Sequence, residues 1–189
     1  MEIVGLVGGI IALIAFIPLF IDIESGGVRL NLATWLIWTV VDTILLLAII
    51  SAHGSALFLS SAFVLGDIIV VCMICSSRIW HWRLFETLTT TAAAVALAVW
   101  WFAGAESALI SIVLIKYFIA MAPSLRDGME KPERKQVLPW VLFTVGIALN
   151  VISAGAWSMT NSFYPSVAFV MNGTLAILHT RKAKHPLDF

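Results

Sequence analysis

The chain has 189 residues, of which 61% are hydrophobic and only 12% charged, with a mean hydropathy of +1.01. A soluble domain of that length cannot hide so much apolar surface in one core, so the composition points to an integral membrane protein. Lysines and arginines equal aspartates and glutamates, eleven of each, which removes the charge bias expected of a nucleic-acid partner.

Apolar windows recur along the whole length, each long enough to cross about 30 Å of hydrocarbon as a helix. Breaks at charged or Gly/Ser/Pro clusters predict spans at 3–21, 31–51, 55–76, 84–103, 106–124, 137–155 and 161–180. The first, "VGLVGGIIALIAFIPLFI", follows Glu2 rather than a basic region and reads as a retained helix, not a signal peptide. Its Gly5, Gly8 and Gly9 invite close helix packing, and Pro18 lies near its inner end. The second contains "TWLIWTVVD", with Trp35 near the inner end, Trp38 one turn deeper and Asp42 on the same face four residues on. The third carries Asp67 at its middle, then Cys72 and Cys75. With no second Cys pair or His partner nearby, those thiols are expected to be buried small hydrophobes rather than metal ligands.

The fourth span, with "TLTTTAAAVALA", is rich in small residues. Lys116 falls near the middle of the fifth, and Pro123 near its inner end. The sixth opens "PWVLFTVGI", with Pro139 expected at the first helical position, then Trp140, Phe143 and, toward the outer half, Asn150. The seventh carries Asn172 at mid-depth. His53, His81, His179 and His185 lie at span ends or in loops, and no Ser/His/Asp set, zinc-spaced histidines or phosphate loop is present. Neither an enzyme nor a bound cofactor is expected.

Ten of the eleven basic residues fall outside the spans, all on one side: Arg29, Arg78, Arg83, Arg126, Lys131, Arg134, Lys135, Arg181, Lys182 and Lys184. The positive-inside rule then predicts an outside N-terminus and a cytoplasmic C-terminus, in an inner or plasma membrane. Tryptophans at span ends, Trp80 and Trp82 inside and Trp100, Trp101 and Trp157 outside, suit interfacial anchoring.

The two halves also match at a constant offset. Pro18 aligns with Pro123, Asp22 with Asp127, Trp35 with Trp140, Trp38 with Phe143, Thr39 with Thr144, Ser61 with Ser166 and Asp67 with Asn172. Three spans form an odd unit, so an extra crossing is needed for two copies to run parallel. The expected fold is therefore all-α, with three-helix bundles 1–77 and 106–181, a linker helix in 78–105 and a cytoplasmic tail 182–189. Parallel repeats of this kind place a transporter's site near midplane between them.

The stretches "FIPLFIDIESGGVRLNLATWLIW" and "AMAPSLRDGMEKPERKQVLPWVLF" resemble the two motifs of the PQ-loop group. The 3+1+3 plan is similar to its SWEET-like (MtN3/saliva) sugar transporters, although Leu19 and Ser124 stand where the group has glutamine. The resemblance implies a small-molecule transporter working by alternating access. It implies Pro18 and Pro123 as hinges and Asn172 as a substrate ligand, with Asp67 replacing the paired asparagine.

Charges in hydrocarbon are costly and usually face a cavity or a partner. Asp42, Asp67 and Lys116 are therefore expected in or beside the binding site, with Lys116 paired to one of the two carboxyls. Asp67 and Asn172 are candidate ligands, Trp38 and Phe143 aromatic flanks, Asp42 and Asp67 candidate proton carriers. Trp35 and Trp140 are expected as gates or interfacial anchors. The expected partners are a small polar solute (sugar-, amino-acid- or vitamin-like) and the lipid bilayer, with room for a homo-oligomer. The alternative is a seven-span receptor or sorting protein that binds without transporting.

Overall fold

The first helix, α1 (Glu2–Glu24), is apolar on nearly every side, so hydrophobicity alone cannot orient it. Residue size does. Its buried positions include Gly5, Gly8, Ala12, Ala15, Leu19 and Ile23, spaced three or four apart, and this narrow face lets neighbours approach closely. The computed structural model describes residues 2–26, 30–51, 56–77, 82, 84–103, 115–154 and 163–181. After α1 come α2 (Leu32–Ser51), α3 (Leu57–Ser77) and α4 (Leu84–Ala103). A wide π-type turn, Ile115–Ala120, leads into α5 (Ala122–Glu130). A 3-10 turn, Arg134–Gln136, leads into α6 (Val137–Ser153), and α7 (Tyr164–Thr180) follows. Among the described residues there is no strand, so the fold is all-helical. Three helical stretches, Glu2–Glu24, Leu57–Ser77 and Arg134–Ser153, are long and apolar enough to cross a membrane, and α2 contains a shorter apolar stretch, Leu32–Leu47.

α1 packs mainly against α6 and α3, and α3 also packs against α2. α6 packs against α7, which also touches α5. α2 faces the π turn and α5, and α4 lies against these same three elements. The α1–α6 crossing is glycine on glycine: a Cβ at Gly8 would sit 2.6 Å from the Gly146 carbonyl oxygen, and one at Gly146 would sit 2.7 Å from that of Gly8. Gly66 similarly gives up its side-chain volume to the Phe16 ring.

The bundle is apolar outside and charged inside. Ile3, Ile17 and Ile21 on α1, Leu65 on α3, Ile152 on α6 and Ile177 on α7 are exposed, while Asp42, Asp67, Lys116 and Asn172 are buried. Water as the surrounding solvent would favour the reverse distribution.

Several expectations need revision. Cys72 and Cys75 are exposed, because the inward stripe of α3 is Phe63, Asp67, Val70 and Ile74 and leaves the thiols on its outer side. Pro18 lies inside α1, which continues to Glu24 and ends at Gly26 in the left-handed conformation, φ 66°. Pro123 instead stands in the first turn of α5, right after the π turn. That helix runs to Glu130, so Arg126 and Asp127 are helical rather than in a loop. Pro139 is the third residue of α6 rather than the first, because the helix already starts at Val137. Trp82 and Trp101 are exposed. Arg29, Arg78, Trp80, Arg83, Trp157, the side chain of Trp100, His53, His81, the first half of the fifth span and the tail from 182 lie outside the described residues.

Candidate functional site

Asp42 on α2 and Lys116 in the π turn meet in the interior, with side chains 2% and 5% exposed. Lys116 Nζ donates to both Asp42 oxygens at 2.5 Å and to the Tyr164 hydroxyl at 3.3 Å. The wide turn is locked by its own carbonyl: Lys116 O accepts the Met121 N–H at 3.1 Å and the Trp38 Nε1–H at 3.2 Å. Such wide turns break the regular ladder and often carry functional side chains. Four rings surround the ammonium: Phe63 at 5.0 Å, Tyr117 at 5.4 Å, Tyr164 at 5.6 Å and Trp38 at 5.9 Å to their centroids. These distances are in the range of cation–π attraction.

Asp67, on α3, borders the same cavity as Asp42, and no donor reaches its buried Oδ2. Two carboxyls and one lysine thus line one space, and the lysine is bound to Asp42. Asn172, on α7, donates Nδ2 to the Ala168 carbonyl at 2.8 Å and lines the same space. Asp42, Asp67, Lys116, Trp38, Phe143 and Asn172 all border one cavity. It is nearly closed: about 10 Å³ remains, about the room one water needs.

A layer of tryptophans seals it on one side. Trp35 and Trp140 stack at 6.5 Å with 28° between their planes, and Trp38 meets both edge-on. Each is held by its own helix in the same way. Thr39 Oγ1 donates to the Trp35 carbonyl at 2.8 Å, and Thr144 Oγ1 to the Trp140 carbonyl at 2.7 Å. Trp140 also donates Nε1 to Gln136 Oε1 at 3.3 Å. Both tryptophans are almost fully buried, which rules out interfacial anchoring at the bundle surface. They border two spaces at once: the closed cavity and a vestibule of about 540 Å³ beyond it.

The vestibule is acidic. Glu86, Asp127, Glu130 and Glu133 line it against Arg126 and Lys131, with His179 nearby. Glu86, on α4, has a side chain 2% exposed and accepts from Arg126 Nη2 at 3.2 Å and Asn31 Nδ2 at 3.0 Å. Asn31 in turn caps α2 by accepting the Thr34 N–H at 3.3 Å. Arg126 also lies over the Phe85 ring, 4.3 Å from its centroid. One buried glutamate therefore ties α4, α5 and the start of α2 together at the vestibule wall. Burial pushes the Asp127 carboxyl above its ordinary range, more than the neighbouring Arg126 guanidinium pulls it down.

The chain matches no family model, no curated protein and no solved structure. The site is therefore interpreted from its own geometry. Lys116 pairs with Asp42, settling a choice the sequence leaves open. Pro18, Pro123 and Asn150 line neither cavity. Asn150 is buried, and neither atom of its amide has a partner. Sequence reasoning overlooked Phe16, Phe63, Tyr117, Tyr164, Glu86 and the role of Arg126. A signal was present for some of them: the chain has only two tyrosines, and both touch the Lys116 ammonium. Glu86 was visible too, as a lone acid at the start of an apolar span.

Proposed function

We propose that the chain is an integral membrane transporter of a small polar solute, working by alternating access at the closed cavity. The observation that carries this is a buried group of charges sealed from a vestibule by a stacked tryptophan pair. Charges are kept in a lipid-facing bundle where they line a path or site, and a removable aromatic seal is what a gated path requires.

The packing supports a 3+1+3 plan of two parallel repeats. Exchanging the halves turns the α1–α6 contact into the contact between the fifth span and α2, and both pairs do pack together. It also turns α3, which touches α1 and α2, into α7, which touches α5 and α6. Trp35 and Trp140, matched in the repeat, stack face to face. Their threonines, Thr39 and Thr144, make the same hydrogen bond. These features favour the PQ-loop-like plan that the sequence resembles.

On this reading the vestibule opens toward the cytoplasm, since Lys131 caps α5, Arg134 and Lys135 form the 3-10 turn before α6 and Arg181 caps α7, next to the vestibule residues Glu130, Glu133, Gln136 and His179. Separation of Trp35 from Trp140 connects vestibule and cavity. Reaching the opposite side requires the bundles to rock where α2 meets the π turn. Asp42 and Asp67 are the proton carriers if the cycle is proton-coupled.

Uptake into proteoliposomes against a panel of hexoses, amino acids, vitamins and amines, with and without a pH gradient, tests the proposal. Saturable flux of one class, reduced in Asp67→Asn and Asn172→Ala, is expected. Saturable binding with no flux of any panel member would replace the transporter with a receptor.

A further inference from the structure

We propose that Asp67 is the counter-ion for an organic ammonium substrate that carries no carboxylate of its own, and that this ammonium and one proton replace each other in the cavity. The inference rests on the transport reading above and names its substrate class.

Charge counting is the first step. The ionisable groups around the cavity are Asp42 on α2, Asp67 on α3, Lys116 and Tyr117 in the π turn and Tyr164 on α7. With neutral tyrosines, two ionised carboxylates against one lysine leave an excess negative charge in a nearly water-free space. That excess is removed either by a proton held between Asp42 and Asp67 or by a second cation. Lys116 already has both of its short bonds on Asp42, while Asp67 Oδ2 is buried with no donor. An incoming ammonium supplies what that oxygen lacks: hydrogen-bond donors and positive charge.

The walls fit the same ligand. Phe63 lies four residues before Asp67 on α3, and with Trp38, Tyr117 and Tyr164 it already surrounds one ammonium, that of Lys116. Rings in this arrangement stabilise a second cation through the same quadrupole attraction. A carboxylate on the substrate finds no free cation among the described residues lining the cavity, because Lys116 is the only one among them and Asp42 holds it. The vestibule selects in the same direction: among its described lining residues, four carboxylates face two cationic side chains, and Arg126 is itself bound to Glu86. An acidic funnel raises the local concentration of cations. The cavity in this structure admits no such ligand, so entry requires Trp35 and Trp140 to part.

The test uses the full chain in lipid nanodiscs, with butylammonium and tetramethylammonium as probes and butyrate and glucose as controls. Tryptophan fluorescence reports occupancy of the cage, and a pH indicator in weak buffer reports protons. Butylammonium is expected to bind saturably and to release about one proton per ion bound, with affinity rising about tenfold per pH unit while the site is protonated. Asp67→Asn is expected to weaken binding at least about tenfold and to abolish proton release. If that variant does not fold, the pH dependence of wild-type affinity carries the same information. Binding without proton release, or an unchanged affinity in Asp67→Asn, overturns the exchange. Glucose binding or uptake with no response to either ammonium overturns the substrate class and leaves the transporter standing. Ammonium binding with proton release in nanodiscs, but no ammonium uptake into proteoliposomes, supports the cation site and overturns transport.

Discussion

Replacing Lys116 with methionine keeps most of the side chain's length and removes its charge, which isolates the electrostatics of the buried pair. At 2.5 Å and an effective dielectric constant of about 20, the gross attraction is roughly 7 kcal/mol, much of it cancelled by the desolvation of both groups. Removing one partner does not simply delete the remainder. It leaves Asp42 and Asp67 facing each other with no cation in the cavity, and stranding a buried charge typically costs about 3–5 kcal/mol. Asp42→Asn should cost less, because Lys116 can turn to Asp67, which borders the same cavity. The double variant Lys116→Met/Asp42→Asn should cost less than the sum of the singles by about 2–4 kcal/mol, since it strands no lysine and leaves a single carboxyl that a proton can neutralise. Reversible denaturant unfolding in mixed micelles, followed by tryptophan fluorescence, gives all four stabilities. Singles that add to within about 0.5 kcal/mol would mean that the two groups are not coupled, and the account of the site built on their pairing would fail.

Gly146→Val should destabilise by about 1–3 kcal/mol, because even its Cβ would lie 2.7 Å from the Gly8 carbonyl oxygen, and a backbone atom cannot step aside; an unchanged thermal midpoint would contradict the α1–α6 crossing. Glu86→Gln should cost about 1–2 kcal/mol by weakening its charge-assisted bonds with Arg126 and Asn31, read as a lower thermal midpoint that Glu86→Asp does not fully restore. Asp127 gives a pH signature. Its folded pKa is raised, so its stabilising contribution is present below the ordinary carboxylate value near 3.9 and is lost as pH rises through the raised value. Asp127→Asn should therefore gain stability over the wild type between about pH 4 and pH 7, and a gap that shrinks with rising pH would refute the assignment.

The sequence revealed the site residues better than the way they are held. Asp42, Asp67, Lys116 and Asn172 stood out because hydrocarbon tolerates so few polar groups, and they do border one cavity. Trp35 and Trp140 drew attention through the repeat, but not their buried stacking. That depends on where two helices cross, which helical periodicity does not encode. The exposed thiols show the same gap in reverse. In an apolar helix every face looks like a core face, so only neighbours decide that Asp67 points inward and Cys72 outward. The π turn left no readable mark in the sequence, and the Lys116 it carries finds its partner Asp42 74 positions away.

Under the proposed repeat, Lys116 corresponds to Ile11 and Asp42 to Ile147. The same helix crossing is thus built twice with different chemistry. On one side, Gly8 and Gly146 bring backbones into contact beside the buried Ile147. On the other, Lys116 and Asp42 join across the gap. A glycine contact is short-ranged and indifferent to pH or ligand. An ion pair in a closed interior separates only if another charge compensates each partner, so under the proposed alternating access rocking at that seam would be conditional on a proton or a bound cation. The variant Lys116→Ile/Asp42→Ile/Asp67→Asn makes the two seams alike, strands no member of the pair and removes both cavity carboxyls that could titrate. It should fold, with a stability within about 1–4 kcal/mol of the wild type or above it. Its Trp35–Trp140 opening, followed by fluorescence quenching from the vestibule side, should no longer depend on pH. Opening that keeps the wild-type pH dependence would show that the charged seam does not control the motion.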